Sequence, residues 1–393
     1  NAHREKNAAF YTNKFIVNEI MGQLPTFSKN EIRILEPSVG AGSFVPFLFK
    51  LYENVPHVIL DVVDIDQESL EAFDLLLNKI GIAHNFTVNR ICHDFLTWKP
   101  AYRYDLAIGN PPFSKLKDNR NQTTNNLAAL FLEKCMRCSD CVALMLNKNI
   151  LSTDEYSETR NLLRTVKIES IVDFGRYGFT GVSIETMCMV VYPRQKPKET
   201  TVYSMKYNKK YIHNQDYITD ETYPSFLIYR DEQFDTVAKK LNFDVFSVFR
   251  DRQITKSITT STRNDDCLWV IKARNINDDG MGVTHIPNYD VFLPKQLVQT
   301  VSVSRFVNDD SVYLTPNMTY NPRVIDNLPN TIPDGSVAVL IPKKPMKLTT
   351  RQKAFFSSEE YRRFYGIARN LSTQSINVDN NSVFYYGVLR DEQ

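Results

Sequence analysis

Seven short apolar runs dominate the first half of the chain: IRILEPS (32–38), VILDVVDI (58–65), FTVNRICHDF (86–95), YDLAIGN (104–110), CVALMLN (141–147), IESIVDF (168–174) and TMCMVVY (186–192). Segments of helical spacing separate several of them. In NNLAALFLEKCMRCS (125–139), Leu127, Leu130, Phe131 and Lys134 recur every three or four residues. Strands that are apolar on both faces must be covered on both sides. Their alternation with helices predicts an α/β fold, a doubly wound, seven-stranded, mostly parallel sheet. The last two runs are joined only by GRYGFTGVSIE (175–185), which suits an antiparallel finish to the sheet.

The texture changes after Tyr192. PRQKPKET (193–200) carries two prolines and reads as a linker. Beyond it come short aromatic and β-branched strands broken by turns such as NDDG (277–280) and IPDGS (332–336), with helical pieces near 231–242 and 349–366. The expected division is a first domain at 1–192, a linker at 193–200 and a second, mixed α+β domain at 201–393. A length of 393 residues suits two domains. The net charge of +2 carries no basic tail. No run reaches the roughly 18 apolar residues of a membrane span. The start, NAHREKNAAFYTNKF, lacks the apolar core of a secretory signal, so a cytoplasmic protein without a membrane is expected, its six cysteines thiols.

ILEPSVGAGSF (34–44) follows the first strand, with Gly40 and Gly42 allowing a tight turn and a close ligand. A dinucleotide site would show G-x-G-x-x-G, but Val45 stands where the third glycine belongs. Glu36 stands at the strand tip instead; a carboxylate there repels a pyrophosphate and attracts a sulfonium or ammonium. The second strand ends with Asp64, Ile65 and Asp66, where a carboxylate can accept from both ribose hydroxyls. Asp94 ends the third strand and could accept from an adenine amino group, with Phe95 beside the ring. Acids on three successive strand tips after a glycine turn favour S-adenosylmethionine over a dinucleotide, with Pro37 and Ser38 completing the turn's contacts.

AIGNPPFSKLKDN (107–119) follows the fourth strand and so lies at the carboxyl edge of the same sheet, where open α/β sheets bind ligands. Pro111 and Pro112 lack N–H donors and have fixed φ, and Asn110 is held out of helical geometry by the proline after it. The Asn110 side-chain oxygen and the Pro111 carbonyl thereby form a rigid acceptor pair. Such a pair suits an exocyclic amine, whose lone pair it frees from the ring without a strong base. Phe113 would stack on a base that has left its helix.

EPSVGAGSF followed by NPPF resembles the N6-adenine DNA methyltransferases of restriction–modification systems. The order of cofactor motif, catalytic motif and long carboxyl-terminal domain resembles the gamma class. The resemblance covers about residues 8–192. It implies a class I methyltransferase-like fold and methyl transfer from S-adenosylmethionine to N6 of a flipped adenine in duplex DNA. The roles of the family's Asn, first Pro and aromatic carry over to Asn110, Pro111 and Phe113. YTNKFIVNEIM (11–21) resembles the cofactor-closing segment, which brings in Thr12, although Asn13 stands where the family usually has Pro. FTGVSIE (179–185) matches the segment that holds the other face of the base, with Phe179 as candidate and a core aromatic as the equal alternative. WVIKARNINDDG (269–280), LTPNMTYNPR (314–323) and SSEEYRRFYGIARN (357–370) more loosely resemble target recognition domains and related carboxyl-terminal segments.

The candidate DNA contacts are Lys115, Lys117 and Arg120 in the polar tail SKLKDNRNQTTNN (114–126), equally readable as a solvated loop, and Arg263, Lys272, Arg274 and Arg323 in the second half. Cytosine-C5 chemistry would need a cysteine after a proline, and none of the six stands there. CMRCSDC (135–141) lacks a partner His or Cys pair, so no metal is expected. Two other readings remain: a methyltransferase acting on RNA or protein nitrogen, and a catalytically silent DNA-specificity subunit. A monomer with a separately encoded restriction endonuclease as partner completes the expectation.

Overall fold

The structure is a computed structural model that describes residues 14–116, 124–178, 184–372 and 377–390. It divides into two units, Asn1–Ile228 and Tyr229–Gln393.

In the first unit, β1 (Glu31–Glu36), β2 (His57–Asp64), β3 (Phe86–Cys92), β4 (Tyr104–Gly109), β5 (Ser139–Asn147), β6 (Lys167–Gly175), β7 (Thr186–Tyr192), β8 (Glu199–Ser204) and β9 (Lys209–Asn214) form one sheet in the order β3-β2-β1-β4-β5-β7-β6-β8-β9. The first five strands run parallel, and β7 enters antiparallel between β5 and β6. The doubly wound class I methyltransferase-like sheet is therefore present, with two strands added beyond the seven expected.

Register explains the packing. Val88, Leu60, Ile34, Leu106 and Cys141 line up across five strands and belong to one buried cluster. The same cluster takes in Ile16 and Ile20 of α1 (Lys14–Met21), Leu48 of α2 (Val45–Leu51) and Phe73 of α3 (Gln67–Ile80). One position further along, Leu35, Ala107 and Val142 turn to the other face. α4 (Leu127–Cys138) and α5 (Ser157–Arg164) contribute nothing to the first cluster; they pack against β5 and β6 and are joined by a 2.9 Å hydrogen bond from Thr159 to Glu133. Asp61 also faces that side, and it accepts from Tyr102 (2.7 Å), Tyr104 (2.6 Å) and Asn89 (2.8 Å). A buried carboxylate is tolerated only with donors of this kind. Among the described residues no helix is long and apolar enough to cross a membrane.

The linker expected at 193–200 and the boundary at 192 are corrected. β8 pairs parallel with β6, and Lys167 N–H bonds Gln195 O at 2.9 Å. Pro193 and Pro197 suggest a linker only because both fall just outside the ladder, where no donor is required. The short helix α6 (Gln215–Ile218) then returns the chain to the sheet. Buried Gln215 accepts from Ile168 N–H (2.7 Å) and donates to Val166 O (2.8 Å), and Arg164 lies over the Phe226 ring.

The second unit is mixed α+β. It holds α7 (Glu232–Lys239), then β10 (Leu241–Asn242), β11 (Phe246–Phe249), β12 (Cys267–Ile271), β13 (Val291–Pro294), β14 (Tyr313–Pro316), β15 (Ile325–Asp326), β16 (Thr331–Pro333) and β17 (Val337–Pro342). α8 (Thr350–Phe356), α9 (Glu359–Ala368), α10 (Asn380–Phe384) and β18 (Val388–Leu389) follow. Sheets β11-β17-β14-β15 and β13-β12-β16 share a core that includes Val270, Leu293, Leu314 and Val339, and β10 pairs with β18. α7 meets α9 through the stacked rings of Phe234 and Phe364, 4.6 Å apart.

A fragment ending at residue 228 should therefore unfold cooperatively on heating. A fragment ending at 192 exposes the edge of β6 and should aggregate; circular dichroism and light scattering distinguish the two.

Candidate active site

The site begins where the strand order reverses, between β1 and β4. β1 ends at Glu36, and Val39 N–H bonds Val63 O (3.1 Å), drawing the following turn over β2. Gly40 has φ +52° and nothing within 4 Å of where a Cβ would stand, so the space above it is open. Gly42 has φ +76°, but a Cβ there would meet the Phe73 ring at 2.5 Å. The two glycines thus do different work: Gly40 leaves room for a ligand, and Gly42 lets α3 approach the turn.

Two buried oxygens in this turn have no hydrogen-bond partner among the described residues, Glu36 Oε2 and Ser38 Oγ. Glu36 is 1 % exposed. Burial, and then the neighbouring Asp64 charge, push its carboxyl well above the usual carboxylate range. An unpartnered buried acid costs free energy unless something polar or cationic reaches it. Asp64 accepts from Gly40 N–H (2.9 Å) through one oxygen and from Asp66 N–H (3.0 Å) through the other. Burial raises its pKa against those two bonds. A carboxylate offers about four acceptor sites, so room for a further donor remains. Ile65, beside it, is 71 % exposed, an apolar surface at the lip of the turn. Asp66 caps α3. These features fit a ligand with a positive group, hydroxyls and a flat ring.

Asp94 accepts from Leu96 N–H (2.9 Å), which shapes the turn after β3. Phe95 does not stand beside a ligand ring. It is 2 % exposed, and its ring packs 4.9 Å from that of Phe131 with the Lys134 ammonium over it. Lys134 also bonds the carbonyls of Phe95, Leu96 and Trp98, so the apolar side chain after the acid is turned inward.

The Asn-Pro-Pro-Phe segment lies directly beside the glycine turn. Leu35 is in register with Ala107, and a Cβ on Gly109 would lie 3.1 Å from Pro37 Cδ. A side chain at 109 would be tight against Pro37 and would need it to shift by a few tenths of an ångström. Asn110 and Pro112 are half-buried, Pro111 is buried, and Phe113 packs from its side onto the core cluster. Leu116 N–H bonds Asn125 O (2.7 Å) and Leu127 N–H bonds Ser114 O (3.0 Å), so the two flanks of the following loop are held together. Lys115 pairs with Glu155. Thr12, Lys117, Arg120 and Phe179 lie outside the described residues.

A buried ionic cluster at the same edge was not legible in the sequence. Lys148, the first residue after β5, donates to Asp173 at 2.6 Å and stands 3.8 Å from Glu185. The three side chains are 5–6 % exposed and tie β5, β6 and the entry to β7. As letters, Asp173 and Glu185 look like ordinary strand-end acids; only the antiparallel insertion of β7 brings them together. Among the described residues no group of three or more metal-ligating side chains is present.

In the second unit, Lys272 and Arg274 gather over the Tyr289 ring, 3.6 and 4.7 Å from its centre, and Trp269 stacks on His285 at 3.7 Å. Arg263 is exposed. Arg323 is not a surface contact. It is 8 % exposed and donates to the carbonyls of Ile276 (3.1 Å), Asn321 (3.0 Å) and Ala273 (3.2 Å). It braces the turn after β12, which accounts for its burial.

Residues 52–179 match the family model of the Eco57I restriction-modification methylase. That match lies within the first unit. The chain is also similar to the Type II methyltransferase M.CvrRI of Paramecium bursaria Chlorella virus XZ-6E, with 28% identity over 203 residues, 49% of this chain and 50% of that protein. It spans about half the length of this curated relative. Among solved structures, a modification subunit of a putative type I restriction enzyme from Vibrio vulnificus YJ016 is similar with TM-score 0.42 and 18% identity, covering 50% of this chain and 47% of that one. The type IIG restriction endonuclease BpuSI is similar with TM-score 0.46 and 12% identity, covering 96% and 57%.

Two outcomes follow from these charges. Glu36 has a folded pKa above its ordinary 4.5, so its burial is unfavourable at neutral pH and the penalty vanishes as pH falls to about 4.5. Ligand-free Glu36→Gln should therefore melt above the wild type at pH 7, with the difference closing towards pH 4.5 in calorimetry. Lys148→Met leaves two buried carboxylates without their ammonium and should cost about 3–5 kcal/mol in chemical denaturation.

Proposed function

We propose that the chain transfers a methyl group from S-adenosylmethionine to N6 of an adenine flipped out of a specific duplex DNA site. The contact of Gly109 with Pro37 carries the reading, because it supports transfer between a group held by the first turn and an amine held by the second. The cofactor, when bound, supplies an electrophilic methyl on a sulfonium. Glu36 and Ser38 suit its polar and cationic end, Asp64 its ribose, Ile65 one face of its adenine and Asp94 the adenine amino group.

The rest is done by the chain's own groups. Asn110 Oδ1 and the Pro111 carbonyl accept the two N–H bonds of the target amine. Those bonds oppose delocalisation of the nitrogen lone pair into the ring, so no strong base is required. Attack is a single in-line displacement with no covalent bond to the protein, and the methylated nitrogen then loses a proton to water. Phe113 stacks on the extruded base. Recognition of sequence falls to the second unit, with Arg263, Lys272 and Arg274 as its candidates. A monomer, a separately encoded endonuclease and a cytoplasmic setting belong to the same reading.

Incubation with labelled cofactor and mixed DNA, followed by mass spectrometry of nucleosides, should yield N6-methyladenine. Methyl on cytosine, on RNA or on nothing overturns the proposal. Asn110→Ala should lower transfer by about 100-fold or more while calorimetry finds cofactor affinity unchanged.

A further inference from the structure

The strands that the sequence hides carry a concentration of positive charge in the first unit. Residues 1–192 hold 20 Lys+Arg and 22 Asp+Glu, net −2, whereas 193–213 hold six Lys+Arg against Glu199 alone, net +5. Arg194, Lys196 and Lys198 precede β8, whereas topology places Lys206, Lys209 and Lys210 at its other end. β8 runs parallel to β6, so its carboxyl end and the turn into β9 lie at the edge of the sheet that also carries Glu36, Asn110 and Asp173. Met205 N–H bonds Asp173 O at 3.0 Å and pins the turn there. Lys206 stands in this turn, with Lys209 and Lys210 directly after it at the start of β9. Glu199 is at the opposite end, across from Asn214.

All three lysines are exposed, and none has a carboxylate partner among the described residues. Lys206 lies 4.8 Å from the Tyr207 ring centre and Lys209 lies 4.9 Å from that of Tyr211. Tyr207 is 46 % exposed. Two of the three ammonium groups are thus held near aromatic rings at a fixed edge of the sheet.

Under the reading that the first unit acts on duplex DNA, we propose that the β8–β9 hairpin tip grips the phosphate backbone of that DNA beyond the target site. β9 is five strand spacings from β4, about 24 Å along the carboxyl edge. A duplex whose target base enters at Asn110 covers that span in about 7 base pairs at 3.4 Å each. The contact reads no sequence: three ammonium groups neutralise phosphates and release counterions. It adds affinity and orients the duplex along the sheet edge.

The test uses the full chain, a variant with Lys206→Gln, Lys209→Gln and Lys210→Gln, and a control with the same three residues changed to Arg. Each is titrated with a labelled random-sequence duplex of about 30 base pairs over a salt series and read by fluorescence anisotropy. In the Gln variant the slope of log K against log salt should fall by about two to three, and affinity at about 0.1 M salt should weaken about tenfold or more. The Arg control should keep both. With genomic DNA as methyl acceptor, KM should rise by a similar factor while kcat holds. An unchanged slope overturns the proposal. So does a Gln variant that binds normally and only aggregates, which would make the lysines protection for an edge strand. A chain that binds duplex with the expected slope but methylates none overturns the methylation reading and leaves the hairpin contact standing.

Discussion

Everything at the carboxyl edge depends on how closely the end of β4 can approach the turn after β1. The sheet reverses its strand order between these two, so both chains leave the sheet side by side with no helix between them. A side chain at position 109 would crowd Pro37, and glycine there leaves Pro37 free to sit near the backbone that carries Asn110. The stiffness of Pro111 and Pro112 then acts on a segment whose origin is already fixed. The β1–β4 pairing fixes the base from which that stiff segment leaves the sheet.

Around this contact the charges are arranged unevenly. Asp61 is buried with three donors and is structural, while Glu36, on the neighbouring strand and one register position further along, is buried with no partner for Oε2 among the described residues. The contrast separates acids that hold the fold from an acid kept for something else. Asp64 stands between these cases, since its backbone bonds shape the glycine turn and still leave it lone pairs. The Lys148 cluster balances the opposite side of the edge, where three strands of mixed direction meet.

Much of this was readable beforehand because it is local. The apolar runs gave the strands, and the acid at each strand tip follows from its position in the run. What could not be read depends on direction or on distant partners. Phe95 follows Asp94 in the chain but turns into the core, because Phe131 and Lys134 of a helix some 35 residues later claim it. Arg323 looks like a basic surface residue until its three carbonyl partners are known. β8 and β9 were hidden by Pro193 and Pro197, which punctuate a turn and not a domain boundary. The buried Gln215, which fixes the end of this extension, is a polar letter in a polar stretch and gives no local sign of its role.

The insertion of β7 has a consequence for synthesis. β1 to β5 can pair as each emerges, but β6 has no partner among them, because the place beside β5 belongs to a strand that comes later. β6 must wait, unpaired, until residue 192 has left the ribosome, and only then can β8 find its outer edge. The nascent chain therefore completes its five parallel strands first and holds an open strand for a defined interval. The hairpin that closes the sheet is the last part of the first unit to be secured, and it is sealed by Gln215 just before the second unit begins.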